Sequence, residues 1–306
     1  MSKRVCAVVV TWNRKALLER CLRALQEQIG PDDAILVVNN ASTDGTREML
    51  AKQFPNAQAL HLEENTGGAG GFYHGTKWAF ENGYEFAWLM DDDGMPAENC
   101  LEALMQHATP DRVTIPAQQE DNGRLYGFIA WKRGGRAAGG HEATEQIVAG
   151  GKPVAGRFVF TFVGPLVGRG VIKAIGLPRA DFFIWFDDFE YALRIHARKG
   201  LQTIAVPDAR FKHNITQMKV NEYKILGRES TRPAQALKRI YYGTRNYFYI
   251  LNAHEKSRRT IRAFVLNQLR ALIGDLIYEP KRWECAATRL RALRDGASGK
   301  LGKRDL

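Results

Sequence analysis

Cysteine is scarce in this chain of 306 residues, and its few copies are scattered. The spacing of the four cysteines matches neither a disulfide framework nor a zinc site; they are Cys6, Cys21, Cys100 and Cys285. Long apolar runs are also missing, because no uninterrupted stretch approaches the length of a membrane span. The first apolar stretch, residues 5–10, is too short for the core of a signal peptide. These absences favour a protein that folds in the reducing cytoplasm.

Acidic charge is in short supply only in the last quarter of the chain. Residues 232–306 contain 17 Lys and Arg against 6 Asp and Glu, and this net charge of +11 equals that of the whole chain. Residues 1–231 are therefore neutral on balance. The asymmetry predicts a catalytic body over residues 1–231 and a basic appendage over 232–306 that meets a polyanion, either nucleic acid or an anionic membrane face. A merely soluble basic surface is the alternative.

Strand and helix patterns alternate through the first half of the chain. Apolar runs at residues 5–11, 35–39, 57–62 and 86–91 predict strands, and helical spacing of apolar residues lies between them. Strands separated by helices predict an α/β fold with a mainly parallel central sheet and helices on both faces. Further strands are predicted within 125–131, 154–167 and 202–207.

The run Asp91-Asp92-Asp93, at the end of an apolar strand, requires a compensating cation. Alternation along a strand would place Asp91 and Asp93 on one side and Asp92 on the other. Asp91 and Asp93 then suit a hard divalent ion that keeps positions open for phosphate oxygens. His213, just past another predicted strand, is a candidate third ligand. An acidic surface turn is the alternative to a metal site.

A second acidic pair, Asp187-Asp188, opens a predicted helix directly after Trp185 and Phe186. Asp187 and Glu190 have the spacing of a capping box, which would make the role of Asp187 structural. Asp188 lies in the first turn beside aromatic side chains, where partial desolvation raises the pKa of a carboxyl group towards that of a general base. Trp185 and Phe186 could stack on an acceptor sugar or belong to the core.

Five motifs follow one another in the order found in family 2 inverting glycosyltransferases of the GT-A fold, which this chain resembles. They are Thr11-Trp12-Asn13-Arg14, residues 38–45, residues 65–71, Asp91-Asp92-Asp93 and residues 185–190. Within that family, residues 65–72 and Tyr242-Gly243-Thr244-Arg245-Asn246 most resemble small galactofuranosyltransferases that act on polyprenyl-diphosphate-linked sugars. The resemblance implies a GT-A catalytic domain followed by a C-terminal helical region.

The resemblance also implies roles for individual residues. Asp188 matches the catalytic base, and Asp91, Asp93 and His213 match a site for Mn²⁺ or Mg²⁺ on the donor diphosphate. Residues implied to bind the nucleotide sugar are Thr11, Asn13, Arg14, Asn39, Asn40, Asp44, Asn65, Gly67, Gly68, Gly70, Gly71 and Asp92. Residues implied to contact the acceptor are Trp185, Phe186 and Asp187. Relatives commonly carry an acid where this chain has Asn39.

Several of these residues also have structural explanations. Asp44 could cap the second helix, and Arg14 could be a solvated surface charge. The glycines between Gly67 and Gly71 could form a flexible turn, although a glycine-rich backbone also lets amides approach a diphosphate.

The implied function is metal-dependent, inverting transfer of galactofuranose from UDP-galactofuranose to a polyprenyl-diphosphate-linked or growing polysaccharide acceptor. Such an enzyme serves cell-surface glycan synthesis, as in an O-antigen or a cell wall. A rhamnosyltransferase that uses dTDP-rhamnose is the alternative. A dinucleotide-dependent dehydrogenase fits less well, because the glycine-rich segment lacks the expected acid after the next strand. A basic nucleic-acid-binding or scaffold protein is the other alternative, but no recognised motif supports it, and no nucleic-acid partner is expected.

The C-terminal region carries an amphipathic helical pattern flanked by arginine and lysine. Its apolar positions within residues 262–278 are Val265, Leu266, Leu269, Leu272, Ile273, Leu276 and Ile277. This is the pattern of a helix that lies in an anionic membrane interface. The same face could pack on the catalytic domain or on another subunit, which leaves a homo-oligomer open. Because the implied acceptor stays in the bilayer, we expect peripheral attachment to the inner face of the cell membrane.

Overall fold

The computed structural model describes residues 4–132, 136–213, 220–225, 228–233 and 236–306. The chain divides into two compact units. Among the described residues, the first unit contains 4–132, 136–183 and 187–213. The second unit contains 184–186 and the described residues from 220 onwards.

The first unit opens with alternating strands and helices, as the sequence predicts. They are β1 (Val5–Thr11), α1 (Lys15–Gln26), β2 (Ala34–Asn39), α2 (Thr46–Gln53), β3 (Gln58–His61), α3 (Gly67–Glu81) and β4 (Phe86–Asp91). Shorter elements follow, namely β5 (Gly94–Pro96), α4 (Cys100–Gln106), β6 (Arg112–Gln119), β7 (Leu125–Tyr126), β8 (Ile129–Lys132), β9 (Arg136–Gly139), α5 (His141–Ala149), β10 (Val154–Gly156), β11 (Phe158–Val159), β12 (Leu166–Gly168), α6 (Arg169–Ile175), a 3₁₀ turn (Ala180–Phe182), α7 (Asp187–Ala197) and β13 (Gln202–His213).

A ten-stranded sheet runs through the first unit in the order β10-β13-β6-β12-β4-β1-β2-β3. The remaining two strands of this sheet, β5 and β7, pair with β13 and β6. The strands β3, β2, β1 and β4 are parallel, as are β6 and β13. Between these blocks β12 is antiparallel to both of its neighbours. The sheet is thus mixed, and the parallel strands β1, β2 and β4 end at the same edge of it.

The central strands are buried because helices cover the sheet. All seven residues of β1 are buried, which explains its continuous apolar run rather than an alternating one. The helix α1 buries one stripe, Leu18, Cys21, Leu22 and Leu25, in the same core as Trp88 of β4. Fully burying a leucine contributes about 1.5–3 kcal/mol. This stripe therefore anchors the segment that carries Asn13 and Arg14.

The second unit is mainly helical in its described part. It contains the hairpin β14 (Val220–Ile225) and β15 (Arg228–Pro233), then α8 (Leu237–Ile250), a π-helical turn (Leu251–Glu255), α9 (Arg258–Tyr278) and α10 (Arg282–Ser298). Over the described ranges, no helix combines the length and the apolar character that crossing a bilayer requires.

Helix α9 has two different faces. Its inner face carries Asp275, which is buried and accepts a hydrogen bond from Arg289 of α10. Its outer face exposes four apolar side chains at helical spacing, Leu266, Leu269, Ile273 and Ile277. The predicted amphipathic helix is therefore present, and in this chain its apolar strip faces outwards.

Candidate active site

The acidic run lies at the edge of the sheet where β4 ends. Residues 86–90 are buried, and the strand stops at Asp91, so Asp92 and Asp93 belong to the turn that leads into β5. The strand alternation expected from the sequence therefore does not extend to Asp93. In the next strand, a side chain at Gly94 would clash with the ring of Phe211. Glycine allows β5 to pair with β13, which brings His213 opposite Gly94.

Arg14 supplies part of the positive charge that the acidic run requires. Its Nη1 donates to Asp92 Oδ1 at 3.2 Å and to Asp93 Oδ2 at 2.8 Å. Asp92 is only 3% exposed, and Thr11 Oγ1 donates to its Oδ2 at 2.7 Å. The first and fourth motifs of the sequence thus meet in space, and Arg14 is more than a solvated surface charge.

His213, the last residue of β13, lies on the other side of Asp93. Its Nε2 is 3.5 Å from Asp93 Oδ1. Its Nδ1 is 2.6 Å from the hydroxyl of Tyr126, which the sequence analysis did not identify. Burial, followed by the charges of Glu120 and Asp93, raises the pKa of the Tyr126 hydroxyl. Tyr126 is therefore a neutral partner that fixes the ring of His213.

The three carboxyl groups titrate differently. Burial, together with the charges of Asp93 and Asp92, raises the pKa of Asp91 to about 7. Burial is also the largest influence on Asp93, but His213 and Arg14 outweigh it and lower its pKa. For Asp92, burial outweighs Thr11 and Arg14 and raises the pKa. One arginine thus leaves an excess of negative charge at this edge.

Asparagines at or just after the ends of β1 and β2 hold the neighbouring loops together. Asn13 Oδ1 accepts from the backbone of Thr43 at 2.7 Å, and Asn39 Oδ1 accepts from the backbone of Ser42 at 3.0 Å. Asn40 donates to the carbonyl of Gly67 at 2.9 Å and accepts from Thr66 N at 2.8 Å. The side chains of Asn39 and Asn40 are buried. These hydrogen bonds are to the protein itself, so the asparagines shape the loops at this edge.

The side chains of Asp44 and Asn65 also accept hydrogen bonds from backbone amides. Asp44 accepts from the backbone of Lys15 at 2.9 Å and of Thr46 at 3.2 Å, at the starts of α1 and α2. Burial raises the pKa of Asp44, but the hydrogen bonds from Thr46 and Lys15 outweigh it and lower the pKa. Asn65 Oδ1 accepts from Gly67 N at 2.8 Å. The structural explanation for Asp44 is thus present in the fold.

The glycine-rich segment starts α3 in a crowded place. Gly67 has a φ of +75°, and a side chain there would collide with the carbonyl of Phe183. A side chain at Gly71 would collide with Val10 of β1, and one at Gly70 with Thr66. Gly68 differs, because nothing lies within 4 Å of the position that its Cβ would take. Close packing thus explains most of these glycines, and Gly68 alone of these four leaves open space.

The second acidic pair begins α7. Asp187 is buried, and burial together with the charge of Asp188 raises its pKa well above the ordinary value. Asp188 is half-buried, and its Oδ1 accepts from Phe189 N at 2.6 Å. Burial raises the pKa of Asp188 to about 6, although the bond from Phe189 lowers it. This value suits a general base near neutral pH.

The residues before α7 adopt an uncommon backbone. Phe183, Trp185 and Phe186 have φ values of 66°, 63° and 68°, in the left-handed region that bulky side chains rarely occupy. Within the second unit, Asn246 Nδ2 donates to the carbonyls of Ile184 and Trp185, each at 2.9 Å. Strain of this kind persists only where surrounding contacts hold it, and it clusters at functional sites.

Two comparisons at the level of sequence decide the family. A model of Glycosyl transferase family 2 matches residues 6–148. The galactofuranosyltransferase GlfT1 of Mycolicibacterium smegmatis is 30% identical over 261 residues, which cover 81% of this chain and 83% of the relative. The chain belongs to glycosyltransferase family 2. The dTDP-rhamnosyl transferase RfbF of Shigella flexneri is 23% identical to this transferase over 82% of the chain and 81% of the relative.

Solved structures agree on the fold of this transferase. S. aureus TarS residues 1–349 in complex with UDP-GlcNAc matches with a TM-score of 0.57 at 16% identity, over 96% of this chain and 80% of that chain. At this identity the likeness concerns the fold alone. The fold is GT-A, as the order of motifs predicts, with the additional C-terminal helices described above.

The acidic edge of the transferase fits a hard cation. Asp93 Oδ1 is buried without a hydrogen-bond partner in the part of the chain that the structure describes. Carboxylate oxygens and one imidazole are suitable ligands for Mn²⁺ or Mg²⁺. Over the same residues, no three His, Cys, Asp or Glu side chains are grouped closely enough to hold a metal ion. Asp91, Asp93 and His213 would therefore have to close in on an ion.

Trp12 is a surface feature that the sequence analysis did not assign to the site. It lies between Thr11 and Asn13, directly after the buried strand β1, and its side chain is 49% exposed. An exposed indole at the edge of a sheet offers a flat face on which a planar ring can stack. The signal was a large aromatic residue between polar ones at a strand end.

Proposed function

We propose that this transferase moves galactofuranose from UDP-galactofuranose, with inversion, to a polyprenyl-diphosphate-linked or growing polysaccharide acceptor. The observation that carries the proposal is the separation of carboxyl groups into two sets in the first unit. Asp92 and Asp93 are bound by Arg14, whereas Asp188 is half-buried with a pKa raised to about 6. Environments that separate carboxyl groups in this way assign them different chemical roles.

The first set serves the donor. Asp91, Asp93 and His213 would hold Mn²⁺ or Mg²⁺, which when bound stabilises the charge that builds on the leaving diphosphate. Thr11 and Arg14 fix Asp92 beside this position. The exposed face of Trp12 is available for the base of the nucleotide. Asn13, the next residue in sequence, and Asn40 hold the neighbouring loops by hydrogen bonds. Gly68, with open space above its backbone, allows close approach of a donor group.

The second set serves the acceptor. Asp188 removes the proton from the attacking hydroxyl while its oxygen forms a bond to the anomeric carbon. The bond from that carbon to the diphosphate oxygen breaks on the opposite face, so the configuration inverts. Burial and the charge of Asp188 raise the pKa of Asp187 well above its ordinary value, which favours its neutral form and limits repulsion between the neighbours. Trp185 and Phe186, which directly precede them in sequence, are assigned to the acceptor sugar in this proposal.

The donor sugar is the finer part of the proposal. Galactofuranose is supported by the similarity to GlfT1, and dTDP-rhamnose is the alternative supported by the weaker similarity to RfbF. A donor screen with the purified chain and a polyprenyl-diphosphate disaccharide tests this choice, because UDP and dTDP release can be followed separately. Release of dTDP alone would replace galactofuranose by rhamnose.

We assign the chemistry to residues 1–231 and attachment to an anionic membrane surface to residues 232–306. The support is the outer face of α9, where Leu266 and Ile273 are each 57% exposed. Every exposed charged residue of α9 is an arginine: Arg258, Arg259, Arg262 and Arg270. An apolar strip edged by cations matches the inner face of a cell membrane, where a polyprenyl-linked acceptor would be found.

A further inference from the structure

The second unit contains a pocket of about 410 Å³ with an aromatic wall. Trp185 and Phe186 line it together with Tyr247 of α8 and Phe264 of α9. The ring centres of Phe186 and Tyr247 are 5.3 Å apart, and so are those of Tyr247 and Phe264. Three half-buried rings therefore form one continuous surface, which suits a sugar ring or a short apolar chain.

The polar part of the pocket is cationic. Its lining residues include Arg239 and Arg289, and none of the described residues that line it is acidic. The guanidinium of Arg239 lies 5.5 Å from the ring centre of Trp185, within cation–π distance. Arg289 is buried and is fixed by Asp275 Oδ2 at 2.7 Å and Gln268 Oε1 at 2.6 Å. The described lining thus offers two guanidinium groups and no carboxylate, and a guanidinium group is a suitable partner for a phosphate group.

Gly243 opens the pocket in the middle of α8. A Cβ at this position would meet nothing within 4 Å, so close packing does not require the glycine. Glycine inside a helix is less favourable than alanine, because it loses more backbone conformational freedom on folding. The glycine therefore leaves room in the pocket, at a position where the helix alone would favour a larger residue.

We propose that this pocket binds the phosphate-bearing head of the acceptor, an organic phosphate ester joined to an apolar chain and a sugar. Arg239 contacts the phosphate, and the rings of Trp185, Phe186 and Tyr247 contact the attached group. This inference rests on the proposed function. A nucleoside diphosphate has the same phosphate chemistry, but the donor-binding candidates lie on the first unit. Phe186 is also followed directly in sequence by Asp187 and Asp188, on the acceptor side of the reaction.

The test is a direct binding measurement on the full chain. Geranyl diphosphate and UDP are titrated separately by calorimetry into the native protein, Gly243→Leu, Gly243→Ala and Arg239→Gln. Gly243→Leu fills the pocket without a backbone clash, and Gly243→Ala is the matched control that adds one methyl group. We expect both Gly243→Leu and Arg239→Gln to weaken geranyl diphosphate binding about tenfold or more, as loss of a charge-assisted contact does. Gly243→Ala should change this affinity less than threefold, a limit of about 0.7 kcal/mol.

The binding of UDP separates the two sources of phosphate. Unchanged UDP affinity in all four proteins supports an acceptor pocket, whereas a parallel loss of UDP affinity in Gly243→Leu and Arg239→Gln would make it a nucleotide site. Unchanged geranyl diphosphate affinity in both variants would overturn the inference. If Gly243→Leu fails to fold, judged by its melting temperature, Arg239→Gln decides alone.

A kinetic arm keeps this inference distinct from the proposed function. If transfer occurs, the pocket variants should raise KM for the lipid-linked acceptor and leave KM for the sugar nucleotide unchanged. Normal acceptor KM in variants that still transfer sugar would reject the pocket and leave the function standing. Absence of transfer with any tested donor, together with intact geranyl diphosphate binding, would reject the function instead.

Discussion

At the scale of single residues, Asp187 and Asp188 are neighbours in sequence whose carboxyl groups differ in accessibility. Asp187 is buried, whereas Asp188 is half-buried and can meet a substrate hydroxyl. The pKa of Asp188, raised to about 6, leaves it mostly ionised at neutral pH. A base with this pKa loses its active form as the pH falls. In the proposed function, the chemistry of the acceptor step is therefore concentrated in one carboxylate, that of Asp188.

We expect kcat/KM to fall as the pH drops through about 6, because protonated Asp188 cannot accept a proton. Since the carboxyl groups of Asp187 and Asp188 interact, the pH profile reports the titration of the pair rather than of one site.

Asp188→Asn should lower turnover by about 10²–10⁴-fold while UDP affinity stays unchanged, because a transition-state contact is removed. Rate profiles and UDP calorimetry measure these effects. Asp187→Asn is the matched control and should be milder, and equal losses in both variants would contradict the assignment.

Metal dependence is a second prediction at the residue scale. Asp93→Ala should abolish activity, and it should also remove the increase in donor affinity that Mn²⁺ produces, because it deletes the buried Oδ1 that lacks a hydrogen bond. Calorimetry of UDP binding with and without Mn²⁺ gives a readout that does not depend on turnover. Asp208→Asn, an exposed carboxylate on β13, is the control and should behave like the native chain. Full activity after metal removal with EDTA would exclude the metal assignment.

At the scale of elements, helix α8 supports the strained segment 184–186 through Asn246. Asn246→Ala removes two donated hydrogen bonds, to Ile184 O and Trp185 O, and should destabilise the fold by about 1–3 kcal/mol. Because the segment leads directly into Asp187, we expect a loss of turnover beyond that expected from the loss of folded protein. Asn246→Asp should behave similarly, since a carboxylate cannot donate.

Tyr241→Phe provides the comparison for this prediction. Tyr241 is buried in the same helix and donates to Asp295 at 2.8 Å, away from the strained segment. This variant should lower the melting temperature and keep kcat. Thermal melts read with single-turnover rates distinguish the two, and equal turnover in the Asn246 and Tyr241 variants would mean that Asn246 only stabilises the helix.

Elements with local signals were predictable from the sequence. The bounds of β1 and β4 agree with their apolar runs, and α1, α2 and α7 lie where the sequence predicts helices. Strands were also predicted within 125–131 and 154–167, but the breaks in them were not. The first range is interrupted at Gly127, with a φ of +109°, and the second divides among β10, β11 and the start of β12. Strand pairing there depends on distant partners, so local propensity could not locate the breaks.

The site was predictable as a set of motifs but not as a set of contacts. Arg14 reaches Asp92 and Asp93 across 78 and 79 residues of sequence, and Tyr126 reaches His213 across 87. No local pattern reports such pairings. The turn after β4 was missed for a related reason, because whether Asp92 continues the strand depends on the pairing of β5 with β13.

At the scale of the whole molecule, basic charge and exposed apolar side chains coincide on α9. We expect flotation with anionic liposomes and little with neutral ones, with release by salt, since each basic residue near the surface contributes about 1 kcal/mol. Replacing Leu266, Ile273 and Ile277 by asparagine should abolish flotation. Val154→Asn, a change at an exposed apolar residue of the first unit, is the control. Unchanged flotation of the triple variant would exclude the membrane proposal. If analytical ultracentrifugation shows that the native chain is a dimer and the triple variant is a monomer, the exposed face of α9 is instead a contact with a second copy.

The two faces of α9 set a distance. Phe264 and Gln268 line the pocket on one side of the helix, whereas Leu266, Ile273 and Ile277 are exposed on the other. A helix with its side chains is about 10–12 Å across. If the outer face rests on lipid and the pocket holds the carrier, the helix acts as a spacer, and the head of a glycan carrier must rise about that far out of the bilayer to enter the pocket. The enzyme would then select carriers by the length of their polar link, independently of which sugar they bear.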